Sequence, residues 1–293
     1  MSDKRYDAIV IGAGPGGYPA GIRLGQLKVK TCVIEREYMG GVCLNVGCIP
    51  SKAVIHAAKT FEKVSHAGDL GINVPGAATL DMKKLQAWKG GVVSKLTGGV
   101  RTLLKGNGVD IVDGSARLGK PTADGHQVIV TTKAGTTETL LAKNVVLATG
   151  SRLRALAVPG VDSTGVLELR TAADAERIKA ALGPGKRVVV VGGGYVGLEV
   201  AASSRALGAS VVVLEREARL LARVASEELS AFFARCHREH GVDVVLGASV
   251  VAFETREGAV KGVRLADGRV FDCDVAIVGI GALANDALAE KAG

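Results

Sequence analysis

The chain has 293 residues, 47% of them apolar and 23% charged, which is enough for two domains with cores of their own and excludes an intrinsically disordered chain. Forty glycines set among abundant Val, Ile, Leu and Ala point to a nucleotide-binding α/β protein. The net charge is +8, yet Lys and Arg are scattered and form no dense run, which argues against nucleic acid as a partner and for the steering of anionic cofactors or an acidic protein.

The opening stretch has no cleavable signal pattern, and its apolar run is far shorter than a membrane span. No later segment reads as long and apolar enough to cross a bilayer, so a cytoplasmic protein without a membrane partner is expected. Asp7 to Ile11 reads as a short strand buried in a parallel sheet. The run Gly12-Ala13-Gly14-Pro15-Gly16-Gly17 follows it. Gly12 suits a tight turn, Gly14 a close approach to a pyrophosphate and Gly17 close helix–strand packing, with the next helix directing its positive end at the phosphates. A second strand, Thr31 to Ile34, ends in Glu35, where a carboxylate would hold ribose hydroxyls. The plainer reading is a glycine-rich turn with an incidental surface Glu. Pro19 and Gly21 inside the first helix are expected to loosen it.

Gly40 to Lys52, GGVCLNVGCIPSK, holds Cys43 and Cys48 with four residues between them. Two thiols at that spacing can close a small disulfide ring. A thiolate near a helix N-terminus and a lysine ammonium has a lowered pKa, which suits it to exchange. Pro50 reads as a first helical position, and Gly40, Gly41 and Gly47 let the backbone approach something flat. The competing reading is a structural disulfide or two inert core thiols. Cys32, Cys236 and Cys273 read as ordinary buried thiols.

These thirteen residues resemble, without a gap, the redox-active segment of the flavoprotein pyridine nucleotide-disulfide oxidoreductases, in wording most like the dihydrolipoamide dehydrogenases. The resemblance implies that Cys43 exchanges with a dithiol substrate, that Cys48 lies against the flavin in a charge-transfer contact, and that the first fold binds FAD. It adds Arg36, Gly41, Val42, Cys43, Lys52 and Ala116 to the flavin site.

Farther on, residues from His56 to Val64 and from about Asp81 to Lys105 read as amphipathic helices. His56 and His66 read as solvated or core-edge side chains, and no metal-ligand spacing occurs in the sequence. Short strands follow at Asp110 to Val112, Gln127 to Thr132, Thr137 to Leu141 and Asn144 to Ala148. The last runs into Thr149-Gly150, which by resemblance lies close to the flavin nucleotide.

The chain then repeats itself. Arg187 to Val191 is another buried strand, Gly192, Gly194 and Gly197 form a second fingerprint, and Ser210 to Leu214 ends in Glu215. Two such units argue for two dinucleotides. Glu215 favours NAD(H) over NADP(H), a preference that Arg216 and Arg219 would soften. An Asp267-Gly268 turn marks a hairpin, and Val275 to Gly279 is a closing strand. By resemblance Glu199 sits beside the nicotinamide and pairs with Lys52, and Tyr195 covers the flavin; the plainer readings are a surface carboxylate and a packing aromatic.

From about Ser151 onward the wording resembles the NADH-dependent ferredoxin reductases, which lack the disulfide. This would make the chain a mosaic, natural or recombined. Both families continue past the last residues into a Gly-Asp strand and an interface domain that donates a His–Glu acid–base pair. None of His56, His66, His126, His237 and His240 stands in a comparable setting. The resemblance thus implies that this stretch alone lacks that pair and leaves its oligomeric state open.

The expected architecture is α/β, with two Rossmann-like, glutathione-reductase-like dinucleotide-binding domains. An FAD domain is expected over residues 1–151 and 279–293, with Gly279 beginning its last strand at the cofactor, and an inserted NAD domain over 152–278. The expected function is an FAD-dependent NAD(H) disulfide oxidoreductase. An NADH-dependent flavoprotein that reduces an acidic electron-transfer protein, and a nucleotide-binding scaffold without turnover, are the alternatives.

Overall fold

The structure, a computed structural model, describes residues 4–292. They divide into two compact units, one running to Ser151 and resuming at Ala284, the other spanning Arg152–Leu283. Residues 279–283 therefore stay with the second unit, because Gly279 N donates to Val191 O and Arg154 N to Gly281 O.

The first unit comprises β1 (Lys4–Ile11), α1 (Gly17–Gln26), β2 (Thr31–Glu35), α2 (Gly41–Asn45), α3 (Cys48–Ser65), α4 (Met82–Gly106), β3 (Asp110–Leu118), β4 (His126–Thr132) and β5 (Thr137–Leu147). Its five strands close into a barrel in the order β1-β2-β3-β4-β5. β5 is one strand where the sequence suggests two. It pairs antiparallel with β4 from Thr137 to Ala142 and parallel with β1 from Leu140 to Leu147, so both halves share one pleat. Ile9, Ile11, Ile34, Val128, Val130 and Leu140 fill one core, while Val10 and Val33 on the opposite pleat pack against Val100 and Leu104 of α4.

Helix α1 is intact for ten residues, contrary to the loosening expected from Pro19 and Gly21. Pro19 is its third residue, where a backbone N–H has no intrahelical acceptor to lose. Gly21 is required by packing: a β-carbon there would lie 2.6 Å from Val33 Cγ2 and 3.0 Å from Leu104 Cδ2. With Gly17 and Gly25 it forms the buried glycine face that brings α1 down on the sheet.

Gly41–Ser65 is long enough to span a bilayer and holds an 18-residue window apolar enough by composition to do so, with a mean hydropathy of 1.2, which the sequence reading missed. The structure breaks the stretch at Val46 and Gly47 into α2 and α3. Its charged residues, Lys52, Lys59, Glu62 and Lys63, are all exposed.

The chain enters the second unit through β6 (Ser151–Leu153), followed by β7 (Val166–Glu168), α5 (Ala172–Ala181), β8 (Arg187–Val191), α6 (Tyr195–Ala206), β9 (Ser210–Glu215), α7 (Glu227–Glu239) and β10 (Val242–Leu246). β11 (Val250–Arg256), β12 (Ala259–Leu265), β13 (Val270–Asp272), β14 (Val275–Val278), β15 (Ala282–Ala284) and α8 (Ala287–Glu290) complete the chain. Strands β10-β9-β8-β14-β7 form a parallel sheet. One face carries Val188, Val190 and Ile277 beneath α5, α6 and α7; the other carries Val189, Ala276 and Val278 against the antiparallel sheet β11-β12-β13. The hairpin between β12 and β13 turns at Asp267-Gly268, with Gly268 at φ 87° and Leu265 N donating to Arg269 O.

Cys32 and Cys273 are fully buried, and burial pushes each thiol up to about 12. Cys236, expected to be buried, is only partly so, on α7 beside His240.

Candidate functional site: two glycine loops and a thiol pair

The two halves build the same loop twice. In the first unit Gly12 (φ 100°) leaves β1, and its N–H donates to Ile34 O at 2.8 Å; in the second, Gly192 (φ 112°) leaves β8, and its N–H donates to Leu214 O at 2.8 Å. A β-carbon at Gly12 would run into the Ala148 carbonyl, and one at Gly192 into the Gly279 carbonyl. One at Gly17 would enter the Gly12 carbonyl, as one at Gly197 would enter the Gly192 carbonyl. Both loops thus need glycine for turn and packing. The sequence placed Gly279 at the flavin of the first unit. It is instead the counterpart of Ala148 and lies under the second glycine loop, because β14 occupies in this sheet the place that β5 holds beside β1.

The carboxylates at the ends of the second strands are also equivalent. Glu35 accepts from Ala13 N at 2.7 Å through one oxygen and from Glu37 N at 2.8 Å and Tyr38 N at 3.1 Å through the other. Glu215 accepts from Gly193 N at 2.6 Å and Glu217 N at 2.8 Å. Each carboxylate is half-buried and locked to its loop, with acceptor capacity left over for ribose hydroxyls. At Gly194 a β-carbon would meet nothing within 4 Å, and at Gly14 only Gly41 Cα at 3.8 Å, so the backbone is open where a pyrophosphate would approach. These features fit an adenine dinucleotide at each loop, with α1 and α6 directing their N-termini at the phosphates.

Arg36 is exposed directly after Glu35. Ala116 is half-buried on β3, past the end of the β2 pairing at Asp113, so β3 has a strand on one side only there. Thr149 and Gly150 are fastened by Asn285, a residue the sequence did not single out. The Thr149 hydroxyl donates to Asn285 O at 2.6 Å, Asn285 Nδ2 to Thr149 O at 3.0 Å and Asn285 N to Gly150 O at 2.9 Å.

The thiol segment is fixed to the first loop. Gly40 N donates to Ala13 O at 2.9 Å, and a β-carbon at Gly41 (φ 65°) would lie 2.6 Å from Gly14 Cα. Asn45 Nδ2 donates to Met39 O and Gly41 O, holding the turn closed. Val42 is exposed, and Cys43 follows it in the middle of α2. Cys48 is the first residue of the 18-residue α3, at its positive end, with Lys52 one turn later. The helix begins two residues before the expected start, making Pro50 its third residue and buried. The two thiols lie close enough to act on each other, with no disulfide bond between the sulfurs. Cys43 departs from the lowered pKa expected of it: its bond to Cys48, then partial burial and the charge of Cys48, push it up, while Lys52 opposes them.

In the second unit Tyr195 opens α6 and is 55% exposed, and Glu199, one turn on, is exposed as well. Arg219 does not face the ribose carboxylate. Its guanidinium donates to Ala222 O, Ala225 O and Ser230 Oγ at 2.7–2.8 Å, which commits it to the fold.

Residues 6–293 match the sequence profile of the pyridine nucleotide-disulphide oxidoreductases. The dihydrolipoyl dehydrogenase of Geobacillus stearothermophilus is 38% identical over 288 residues, 95% of this chain and 57% of that protein. The Pseudomonas aeruginosa dihydrolipoyl dehydrogenase is 39% identical over 283 residues, 93% of this chain and 56% of that one. These matches run through both units, and the chain spans little more than half the length of the curated relatives it matches. Among solved structures, LpdA from Mycobacterium tuberculosis superposes with a TM-score of 0.67 at 23% identity, covering 97% of this chain and 60% of that one. The HOCl-induced flavoprotein disulfide reductase RclA from Escherichia coli superposes with a TM-score of 0.61 at 24% identity, covering 97% and 58%. At these identities the superpositions speak for the fold alone. With the profile spanning nearly every residue and both glycine loops built to one plan, the chain belongs to the pyridine nucleotide-disulphide oxidoreductase family.

Proposed function

We propose that the chain is the two-nucleotide part of an FAD-dependent NAD(H) disulfide oxidoreductase resembling dihydrolipoyl dehydrogenase, with FAD at the first loop and NAD(H) at the second. The observation that carries this reading is the backbone contact between Gly41 and Gly14, which places the Cys43–Cys48 pair beside the first glycine loop. FAD, when bound, supplies a two-electron relay between the nicotinamide and the disulfide.

The chain's own residues supply the thiol chemistry. Reduction of the Cys43–Cys48 disulfide takes two electrons and two protons and breaks one S–S bond. Cys43, whose thiol is pushed up by its bond to Cys48 and by partial burial, becomes a nucleophile when a base removes its proton. It then attacks a disulfide substrate, and Cys48 resolves the mixed disulfide, releasing the product dithiol and re-forming the ring. The positive end of α3 and Lys52 favour negative charge on this segment. Glu35 and Glu215 orient the two nucleotides by their ribose hydroxyls, and Tyr195 and Glu199 belong to the nicotinamide end of the second site. A lipoamide-type dithiol/disulfide couple is the proposed small-molecule partner and the cytoplasm the proposed location.

A Cys43→Ser variant tests the reading with FAD supplied. NADH-dependent reduction of a disulfide substrate should vanish while reduction of an artificial dye by NADH persists. Disulfide reduction at the parent rate in the variant would overturn the reading.

A further inference from the structure

The tripeptide Glu-Arg-Glu occurs at the end of both second strands, as Glu35-Arg36-Glu37 and Glu215-Arg216-Glu217, and in each the first Glu accepts from a glycine-loop N–H and from the N–H of the second Glu. The side chains are used differently. In the first unit the neighbouring Glu37 carboxylate raises the Tyr38 phenol, and Arg36 makes no ion pair among the described residues. In the second unit Ala218 stands where Tyr38 would be, and Glu217 holds Arg216, with Nη2 to Oε1 at 2.8 Å.

This difference bears on which dinucleotide the second site accepts. Where a carboxylate such as Glu215 holds the ribose, a phosphate on the 2′ oxygen needs a nearby arginine to compensate its charge. Arg219 is committed to Ala222 O, Ala225 O and Ser230 Oγ, and Arg223 lies against Gly281, where an added β-carbon would be 3.1 Å from its Nη2. Arg216 is the arginine adjoining Glu215 on this loop, and Glu217 occupies it.

Resting on the assignment of the second loop to a nicotinamide dinucleotide, we propose that Glu217 is a second specificity-determining residue of that site. By engaging Arg216 it withholds from a 2′-phosphate the cation that would bind it, and it adds a negative charge of its own. Arg216 alone is therefore not an NADP(H) determinant in this chain; the pair discriminates, and Glu217 sets its sign. A planar guanidinium released from Glu217 would bind a phosphate bidentately.

The test is the affinity of the full chain for NAD⁺ and NADP⁺, measured by isothermal titration calorimetry at low salt on the parent, Glu217→Gln and the double variant Arg216→Gln/Glu217→Gln. Circular dichroism checks that each is folded. Glu217→Gln should raise the NADP⁺-to-NAD⁺ affinity ratio about fivefold or more, and the double variant should abolish that gain. An unchanged ratio in Glu217→Gln would overturn the proposal, as would a gain that persists in the double variant. In both of those cases parent binding of NAD⁺ would leave the nucleotide assignment standing, whereas a parent that binds neither nucleotide would overturn the assignment and this proposal together.

Discussion

Gly41 touches Gly14 backbone to backbone: the β-carbon that any other residue would carry at position 41 would lie 2.6 Å from Gly14 Cα. The thiol segment and the first glycine loop are thereby one rigid feature, and Gly41 also holds φ 65°, which L side chains adopt at a cost. Gly41→Ala should lower stability by about 1–3 kcal/mol and weaken FAD binding. Urea unfolding and flavin titration measure both; an alanine variant with parent stability would show that the contact is not tight.

Gly21 is a second position where space decides. Alanine is the better helix former by about 1 kcal/mol, but its methyl would meet Val33 Cγ2 at 2.6 Å and Leu104 Cδ2 at 3.0 Å. Overpacking of this kind costs about 1–3 kcal/mol, so Gly21→Ala should destabilise on balance. A rise in the urea midpoint would contradict this.

Ser204 lies fully buried on α6 with a hydroxyl that has no hydrogen-bond partner among the described residues. A buried unsatisfied hydroxyl costs about 1–3 kcal/mol, and alanine removes it without leaving a large cavity. Ser204→Ala should raise the thermal midpoint by a few degrees; a clear fall would mean that the hydroxyl is bonded in solution.

Arg101 clasps Asp113 with both guanidinium arms, at 2.6 and 3.2 Å, and holds that carboxyl below its usual range. A depressed folded-state carboxyl favours the native state above its unfolded value near 3.9 and loses that contribution as pH falls through the folded value. Both side chains are more than a third exposed, so after screening by solvent the contribution is below about 1 kcal/mol. Arg101→Met should therefore narrow the stability difference between pH 6 and pH 3 by a fraction of a kcal/mol. Denaturation midpoints at the two pH values check this, and a widened difference would reverse the sign of the argument.

The hydrogen bond to Cys48 and the charge of Cys48 raise the Cys43 thiol. Cys48→Ser removes the sulfur partner of that bond, so alkylation of Cys43 by iodoacetamide at pH 8 should become several-fold faster than in the reduced parent. Peptide mapping would resolve the rate at Cys43, and an unchanged rate would show that burial dominates.

Local backbone requirements were legible in the sequence. Gly12, Gly14 and Gly17, and again Gly192, Gly194 and Gly197, announced the loops because their chemistry lies within a few residues, and Glu35 and Glu215 followed at fixed spacing. Contacts closed by distant chain were not legible. Ala148 and Gly279 play the same part under their loops, yet nothing local marks them as partners of Gly12 and Gly192. Asn285 fastens Thr149 from 136 residues away. Gly21 reads as a weak helix residue until Val33 and Leu104 are seen against it, and β5 reads as two strands until β1 and β4 are seen to share it. Arg216 and Arg219 look alike in sequence, and only the fold turns one inward and pairs the other with Glu217.

The Cys43–Cys48 pair and a flavin at the first loop are proposed to form one electron path. An absorption spectrum of the FAD-loaded protein under anaerobic conditions, before and after NADH or dithiothreitol, tests it most directly. Bound-flavin bands are expected and, on reduction, a long-wavelength charge-transfer band that is lost in Cys48→Ser. A protein that stays colourless after incubation with FAD, or a reduced spectrum unaffected by Cys48→Ser, would contradict it.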